Sequence, residues 1–217
     1  METLKINEIF YSIQGESSYS GFPTTFVRTS GCHLRCTYCD TTYAYNSGKE
    51  VSIDQVISEI SKNKSPHVCV TGGEPLLQKN IYHFLNKLCL KNFVVSLETS
   101  GDISCSQVHP KVKKIIDIKT PDSGEFGKFS NENLPESLNE AVKSEYKFVI
   151  CSERDFNWAE EFSVEHNLFG SHPVLYSPSF EKINAKWLAE KILSKNSQAR
   201  LQLQLHKYIW NPEQKGV

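Results

Sequence analysis

Neither sign of charge dominates this 217-residue chain, which sets 24 Lys and Arg against 25 Asp and Glu. A protein that holds nucleic acid mainly through phosphates needs a basic excess, so no nucleic-acid partner is expected. No stretch approaches the roughly 20 consecutive apolar residues of a membrane span, so no membrane role is expected either. Internal repeats, low-complexity tracts and long charge runs are all missing, and an apolar share of 39% is too high for a disordered chain. The opening METLKINEIFYSIQGE lacks the apolar core of an export signal. Seven cysteines, an odd number, argue against a disulfide scaffold. A soluble cytoplasmic protein is expected, with thiols free for metals or chemistry.

What the chain does have is alternation. After an extended segment from Leu4 to Ile13, strand signals fall at Thr25–Thr29, Val68–Thr71, Phe93–Glu98, Ile115–Lys119, Phe148–Cys151, Pro173–Tyr176 and Leu201–Leu205. Between them lie helical stripes: Ile53, Val56, Ile57 and Ile60 behind a Ser52 cap, then Ile81, Phe84, Leu85 and Leu88. Pro135 suits the first turn of a helix carrying Leu138, Ala141 and Val142. Further helices are expected from near Asp155 and through Trp187, Leu188 and Ile192. Thr120 to Asn133 reads as a loop and Thr99 to Lys114 shows no clear helix, so one domain over residues 1–217 is expected. Strands alternating with helices imply a mostly parallel sheet. A full eight-unit barrel typically takes about 250 residues. The expected fold is therefore α/β: an incomplete, laterally open parallel (β/α) barrel, with its chemistry at the C-terminal strand ends.

Cys32, Cys36 and Cys39 follow the first of these parallel strands with the spacing C-x3-C-x2-C. Three thiolates on one short loop can converge on a metal centre. A structural zinc site normally needs a fourth protein ligand, which only a nearby side chain such as His33 could lend. A 4Fe–4S cluster usually takes four cysteines, so three leave one iron free for a small ligand. Cys69, Cys89 and Cys151 sit in apolar patterns and read as core packing, as do Trp158 and Trp187; Cys105 has no evident role. Glu16 and Arg28 read, in isolation, as a surface ion pair, and His206 as a core histidine closing an apolar strand.

The cysteine triplet with Tyr38 before its last member, followed in order by Gly72-Gly73-Glu74-Pro75 after the next parallel strand, resembles the radical S-adenosylmethionine (SAM) superfamily. Within it, Gln14-Gly15-Glu16, Arg28, Asp40-Thr41, Leu97-Glu98-Thr99-Ser100-Gly101, Asp117-Ile118-Lys119 and His206-Lys207-Tyr208 resemble the 7-carboxy-7-deazaguanine synthase family. The likeness runs from about Ile6 to Tyr208. It implies the radical SAM fold, a 4Fe–4S cluster on Cys32, Cys36 and Cys39, and SAM chelating the free iron and yielding a 5′-deoxyadenosyl radical. It also implies ring contraction of 6-carboxy-5,6,7,8-tetrahydropterin to 7-carboxy-7-deazaguanine with loss of ammonia, as in queuosine biosynthesis.

Carried over by position, Tyr38, Asp40, Gly73, Glu98, Lys119, Ser177 and Pro178 would meet SAM. Gln14, Gly15, Glu16, Arg28, Thr71 and His206 would meet the pterin, and Thr41 would hold Mg²⁺. The side chains suit these tasks: Glu16 can accept from a pterin's N–C–N edge, and Arg28 can fork onto a carboxylate. The family likeness further implies an external flavodoxin- or ferredoxin-type electron donor and a homodimer. Five residues, Glu213 to Val217, follow Pro212, where members of the family often end. The rivals are a radical-SAM activase acting on a protein and a zinc-stabilised binding module. Anaerobically purified protein is expected to be brown, with iron and sulfide. Cys36→Ala is expected to lose both the colour and the activity while keeping its circular dichroism; full turnover in that variant would sink the cluster assignment.

Overall fold

The computed structural model describes residues 2–135, 144–170, 172–180 and 182–217. The chain opens with β1 (Thr3–Ile13), turns through a loop in which Gln14 N donates to Phe22 O at 2.9 Å, and returns antiparallel as β2 (Pro23–Thr29). A short β3 (Lys49–Ser52) pairs antiparallel along the other side of β1. Ser52 then caps α1 (Ile53–Ile60), accepting from Gln55 N at 3.3 Å while its own N–H donates to Gln55 Oε1 at 3.2 Å. This reciprocal pair satisfies two donors that a helix start otherwise leaves bare.

Strands and helices then alternate through β4 (His67–Gly72), α2 (Ile81–Leu90), β5 (Val94–Thr99), β6 (Lys113–Asp117), β7 (Ser144–Ile150), α3 (Glu153–Glu165), β8 (Val174–Pro178), α4 (Ala185–Ser194) and β9 (Arg200–Leu201). A short α5 (His206–Ile209) follows. The nine strands form one sheet in the order β3-β1-β2-β4-β5-β6-β7-β8-β9, parallel from β2 to β9. Its edges, β3 and β9, do not pair with each other. The laterally open, incomplete parallel barrel expected from the alternation is thus present, with the antiparallel β1 and β3 added on one side.

Alternation along each strand gives the sheet two unlike faces. Val27, Val70, Leu97, Ile116, Phe148 and Tyr176 are fully buried and form one apolar cluster with Phe84, Leu88, Phe156 and Leu188 from the helices. The register puts the opposite set in line: Arg28 beside Thr71, Glu98 beside Ile115, Asp117 beside Lys147, and Val149 beside Ser177. The helix-free face is therefore largely polar, and it carries the candidate site.

Several elements differ from the sequence reading. β7 begins at Ser144 rather than Phe148, because Glu145 and Lys147 break up its apolar run, and β6 at Lys113 rather than Ile115, because Lys113 and Lys114 precede its apolar pair. Lys119 lies beyond the end of β6. Only Leu201 of the Leu201–Leu205 segment is in a strand. Gln202 N still donates to Tyr176 O at 2.8 Å, but Leu205 N donates to Gly15 O at 3.1 Å, drawing the chain off the sheet edge. His206 consequently starts α5 instead of closing a strand. Trp158 and Trp187 pack half-buried against the core, and Cys89 and Cys105 are buried within it. Cys69 instead occupies the polar face, and Cys151 is half-buried outside the core cluster. The helix expected around Leu138, Ala141 and Val142 lies outside the described residues. No helix among the described residues is long and apolar enough to cross a membrane.

The packing makes a simple contrast on α2. Phe84 is fully buried, whereas Leu90 is 72% exposed. Phe84→Ala is expected to cost about 3–5 kcal/mol in urea unfolding, and Leu90→Ala no more than about 0.5 kcal/mol.

Candidate active site

The cysteine loop leaves the C-terminal end of β2 without regular structure, held by its backbone. Gly31 N donates to Ala44 O at 2.9 Å, Thr37 N to Ser123 O at 2.8 Å and Cys39 N to Cys36 O at 3.2 Å. The Gly72-Gly73 turn at the end of β4 lies directly against it, with Glu74 N donating to Gly31 O at 2.8 Å. A Cβ on Gly73 would run into Gly31 O and come within 2.7 Å of Cys32 Cβ, so only glycine fits. Glu74 is fully buried and bridges two strand ends. Its carboxylate accepts from Thr99 Oγ1 at 2.9 Å, Ser100 N at 2.7 Å, Ser100 Oγ at 2.5 Å and Leu76 N at 2.9 Å.

The three loop thiols are half-buried and free. Burial pushes Cys36 up to about 11 and raises Cys32, partly opposed for both by Lys119. Such thiols give up their protons to a bound metal rather than to water at neutral pH. Among the described residues no three His, Cys, Asp or Glu gather tightly enough for a single ion. A four-iron cluster spans more space than one ion and takes thiolate donors, which this loop offers. His33 turns its Nε2 to Asp102.

Beside the loop, a chain of polar contacts links segments that are distant in sequence. Gln14 Oε1 accepts from Glu16 N at 3.1 Å, and Gln14 Nε2 donates to Glu98 Oε1 at 3.4 Å. Thr71 Oγ1 donates to Glu98 Oε2 at 3.1 Å, and the Cys69 thiol donates to Glu98 Oε1 at 3.4 Å. Glu16 is ion-paired with Lys147 and accepts from Gln204 Nε2 at 2.9 Å. Gly15 leaves no room for a side chain because the His206 ring lies against it.

The two carboxyls of this pocket titrate in opposite directions. Burial pushes Glu16 upward, but the charges of Lys147 and His206, with hydrogen bonds from Lys147 and Gln204, hold it below the usual carboxylate range. Desolvation raises Glu98, and the neighbouring Glu16 charge raises it further. Burial lowers His206. Lys119 Nζ reaches Asp117 Oδ2 at 2.9 Å and lies 5.7 Å from the centre of the Tyr38 ring, joining this pocket to the cysteine loop.

Other sequence-derived candidates are placed less centrally. Arg28 does not meet Glu16; its Nε pairs with Glu8 Oε1 at 2.7 Å, the same oxygen that accepts from Tyr43 OH at 2.7 Å. The simple Glu16–Arg28 ion pair is therefore excluded. Asp40 pairs with Lys207 at 3.1 Å, and Thr41 Oγ1 stands 3.8 Å from Cys39 Sγ. Ser177 and Pro178 are buried at the end of β8, where Pro178 and Gln204 line a cavity of about 500 Å³ with Phe180, Lys182 and Tyr208. Sequence reasoning gave no role to Lys147, Glu8, Gln204 or Lys207. For Lys147 the signal was its i+2 spacing from Glu145 in front of the apolar run.

A family model described as the Radical SAM superfamily matches residues 26–117. The 7-carboxy-7-deazaguanine synthase of Chlorobaculum tepidum is 45% identical over 214 residues, covering 99% of this chain and 97% of its own. That of Koribacter versatilis is 40% identical over 229 residues, covering 99% of this chain and all of its own. The crystal structure of QueE from Escherichia coli aligns with a TM-score of 0.74 at 22% identity, covering 93% of this chain and 94% of that one, a likeness of fold.

Gly73→Ala tests the close approach of turn and loop. It is expected to cut the iron content of reconstituted protein at least about twofold with the far-ultraviolet circular dichroism retained, because the clash falls on Gly31 and Cys32 rather than on the core.

Proposed function

Because the chain belongs to the 7-carboxy-7-deazaguanine synthase family of radical SAM enzymes, we propose that this site contracts the ring of 6-carboxy-5,6,7,8-tetrahydropterin to 7-carboxy-7-deazaguanine, releasing ammonia. The observation that carries this reading is the linked set Glu16, Gln14, Glu98 and Thr71, placed beside a three-cysteine loop. A lyase of this kind needs a place for a radical source and an adjoining, water-poor pocket that recognises a heterocycle. The full-length relationship favours it over a protein-acting activase.

In this reading Cys32, Cys36 and Cys39 hold a 4Fe–4S cluster, and Gly73, with Tyr38, Asp40, Glu98, Lys119, Ser177 and Pro178, receives SAM. When bound, the cluster and SAM supply a carbon-centred radical. The protein's own part is recognition. Glu16, an acceptor fixed by Lys147 and Gln204, takes the N–H donors of the pterin's guanidine-type edge. Gln14 and Thr71 offer an amide and a hydroxyl on either side of Glu98, and Gly15 lets the His206 ring close over the pocket. Arg28, already oriented by Glu8 and Tyr43, can present its remaining N–H groups to the substrate carboxylate. Thr41, next to the cysteine loop, would be the protein ligand of a Mg²⁺ that keeps waters and takes substrate oxygens.

The family relationship supports the remaining parts of the proposal: an external flavodoxin- or ferredoxin-type donor, a homodimer and a cytoplasmic setting. It also supports one domain over residues 1–217, the segment after β9 contacting substrate. The test is anaerobic incubation of reconstituted protein with carboxytetrahydropterin, SAM, Mg²⁺ and reductant, followed by mass spectrometry. Formation of 7-carboxy-7-deazaguanine is expected; reductive SAM cleavage without it would mean a different radical reaction. Glu16→Gln is expected to lower kcat/KM by about 10- to 100-fold, the range for losing a charge-assisted hydrogen bond.

A further inference from the structure

The pocket's charges converge on one side chain for which the reading above gives no direct contact with substrate. Lys147 sits at the centre of β7, and its register partners are Asp117 on β6 and Leu175 on β8. That register turns it to the polar face, where its Nζ pairs with Glu16 and lies 3.8 Å from Asp117 Oδ1. Both Lys147 and Glu16 are 11% exposed, so water does little to screen the pair. Asp117 is already engaged by Lys119 at 2.9 Å, whereas Lys147 is the cation that ion-pairs directly with Glu16.

Glu16 and Glu98 share this pocket, both tied to Gln14. Two desolvated carboxylates at short range do not both ionise without a counter-charge. Glu16 ion-pairs directly with Lys147 and accepts from the Gln204 amide, while Glu98, though it also feels the Lys147 charge, faces an amide, a hydroxyl and a thiol. An ionised carboxylate only accepts hydrogen bonds, whereas a protonated one carries an O–H that opposes an incoming N–H.

We propose that Lys147 is a positioning residue for the reaction, fixing the Glu16 carboxylate by charge and direction as the acceptor for the paired N–H donors of the pterin. This rests on the reading that a carboxytetrahydropterin binds here. Lys147 reaches Glu16 from β7 on the polar face of the sheet and thereby sets which heterocycle edge the site accepts. A ligand with acceptor atoms along that edge meets like charge and is rejected.

The test uses cluster-reconstituted Lys147→Met and Lys147→Arg. Binding of 6-carboxypterin, a fluorescent non-reacting analogue, is measured by titration, and kcat/KM is followed against pH. The groups facing Glu16 are Lys147 from β7, Glu98 from β5, and Gln204 and His206 from the C-terminal segment, with Asp117 of β6 behind Lys147.

Without the lysine charge the Glu16 carboxyl rises, so its acceptor form is lost at higher pH than in the wild type. Lys147→Met is therefore expected to move the acid limb of kcat/KM upward by about one pH unit. It should also weaken 6-carboxypterin about 10-fold at neutral pH, with the loss carried by KM more than kcat. Lys147→Arg, keeping the charge, is expected to restore the limb to its wild-type position. An unmoved limb with unchanged affinity, or a loss equal at every pH, would overturn the proposal while leaving the assigned reaction standing.

Should Lys147→Met fail to fold, Glu16→Gln with Lys147→Met replaces it, since this removes both members of the pair. A further loss under about threefold beyond Glu16→Gln alone supports action through Glu16; a larger one overturns it. Wild-type protein that neither binds 6-carboxypterin nor forms the deazaguanine would instead overturn the reading on which the proposal rests.

Discussion

A charge taken out of water must meet another charge or a set of well-aimed dipoles, and the polar face of this sheet is arranged around that requirement. Lys113 meets Glu145, Lys119 meets Asp117, Lys147 meets Glu16 and Asp117, and Arg28 meets Glu8. Most of these contacts cross from one strand to the next or from a strand to a loop. Each fixes a side chain that would otherwise be free to rotate in an open trough. The apolar layer on the other face holds the strands together, and the ion pairs decide how the inward side chains stand.

Glu74 shows the same physics without a cation. Its carboxylate is satisfied wholly by Thr99, Ser100 and Leu76 donors, so it joins the ends of β4 and β5 and fixes the turn that carries Gly73. The cysteine loop is then held against that turn through Gly31 and Glu74. Placement of the thiols relative to the pocket therefore depends on backbone contacts between neighbouring strand ends. The interior of a helix could not supply that arrangement, since its backbone groups are already paired internally.

The helix-covered half of the fold was legible in the sequence. Ile53, Val56, Ile57 and Ile60 repeat at helical spacing behind Ser52, and the helix occupies that span with its capping box. Strands with continuous apolar runs, such as β4, were equally plain. What escaped was the inward face. Ser144 to Lys147 alternate in a way that reads as surface, because a strand whose inner side is charged has no apolar signature on that side. Leu201–Leu205 erred in the opposite sense: perfect alternation was overridden once Gly15 captured the Leu205 amide. Motif order located the cysteine loop and Glu16, but partners such as Lys147 and Glu8 are set by register, which spacing along one chain does not reveal.

The contact between Leu205 and Gly15, with Gln204 reaching Glu16, ties an early segment of the polypeptide to a very late one. During synthesis, β1 and β2 leave the ribosome long before the residues that complete their pocket. Until then the Glu16 loop waits beside an unfinished wall. The cysteine loop, by contrast, lies between β2 and β4 in the chain, and its latest backbone partner is Ser123, just beyond β6. Every backbone hydrogen bond that holds the cysteine loop is thus encoded in the first three-fifths of the chain, whereas the wall of the Glu16 pocket waits for Gln204 and Leu205 near its end.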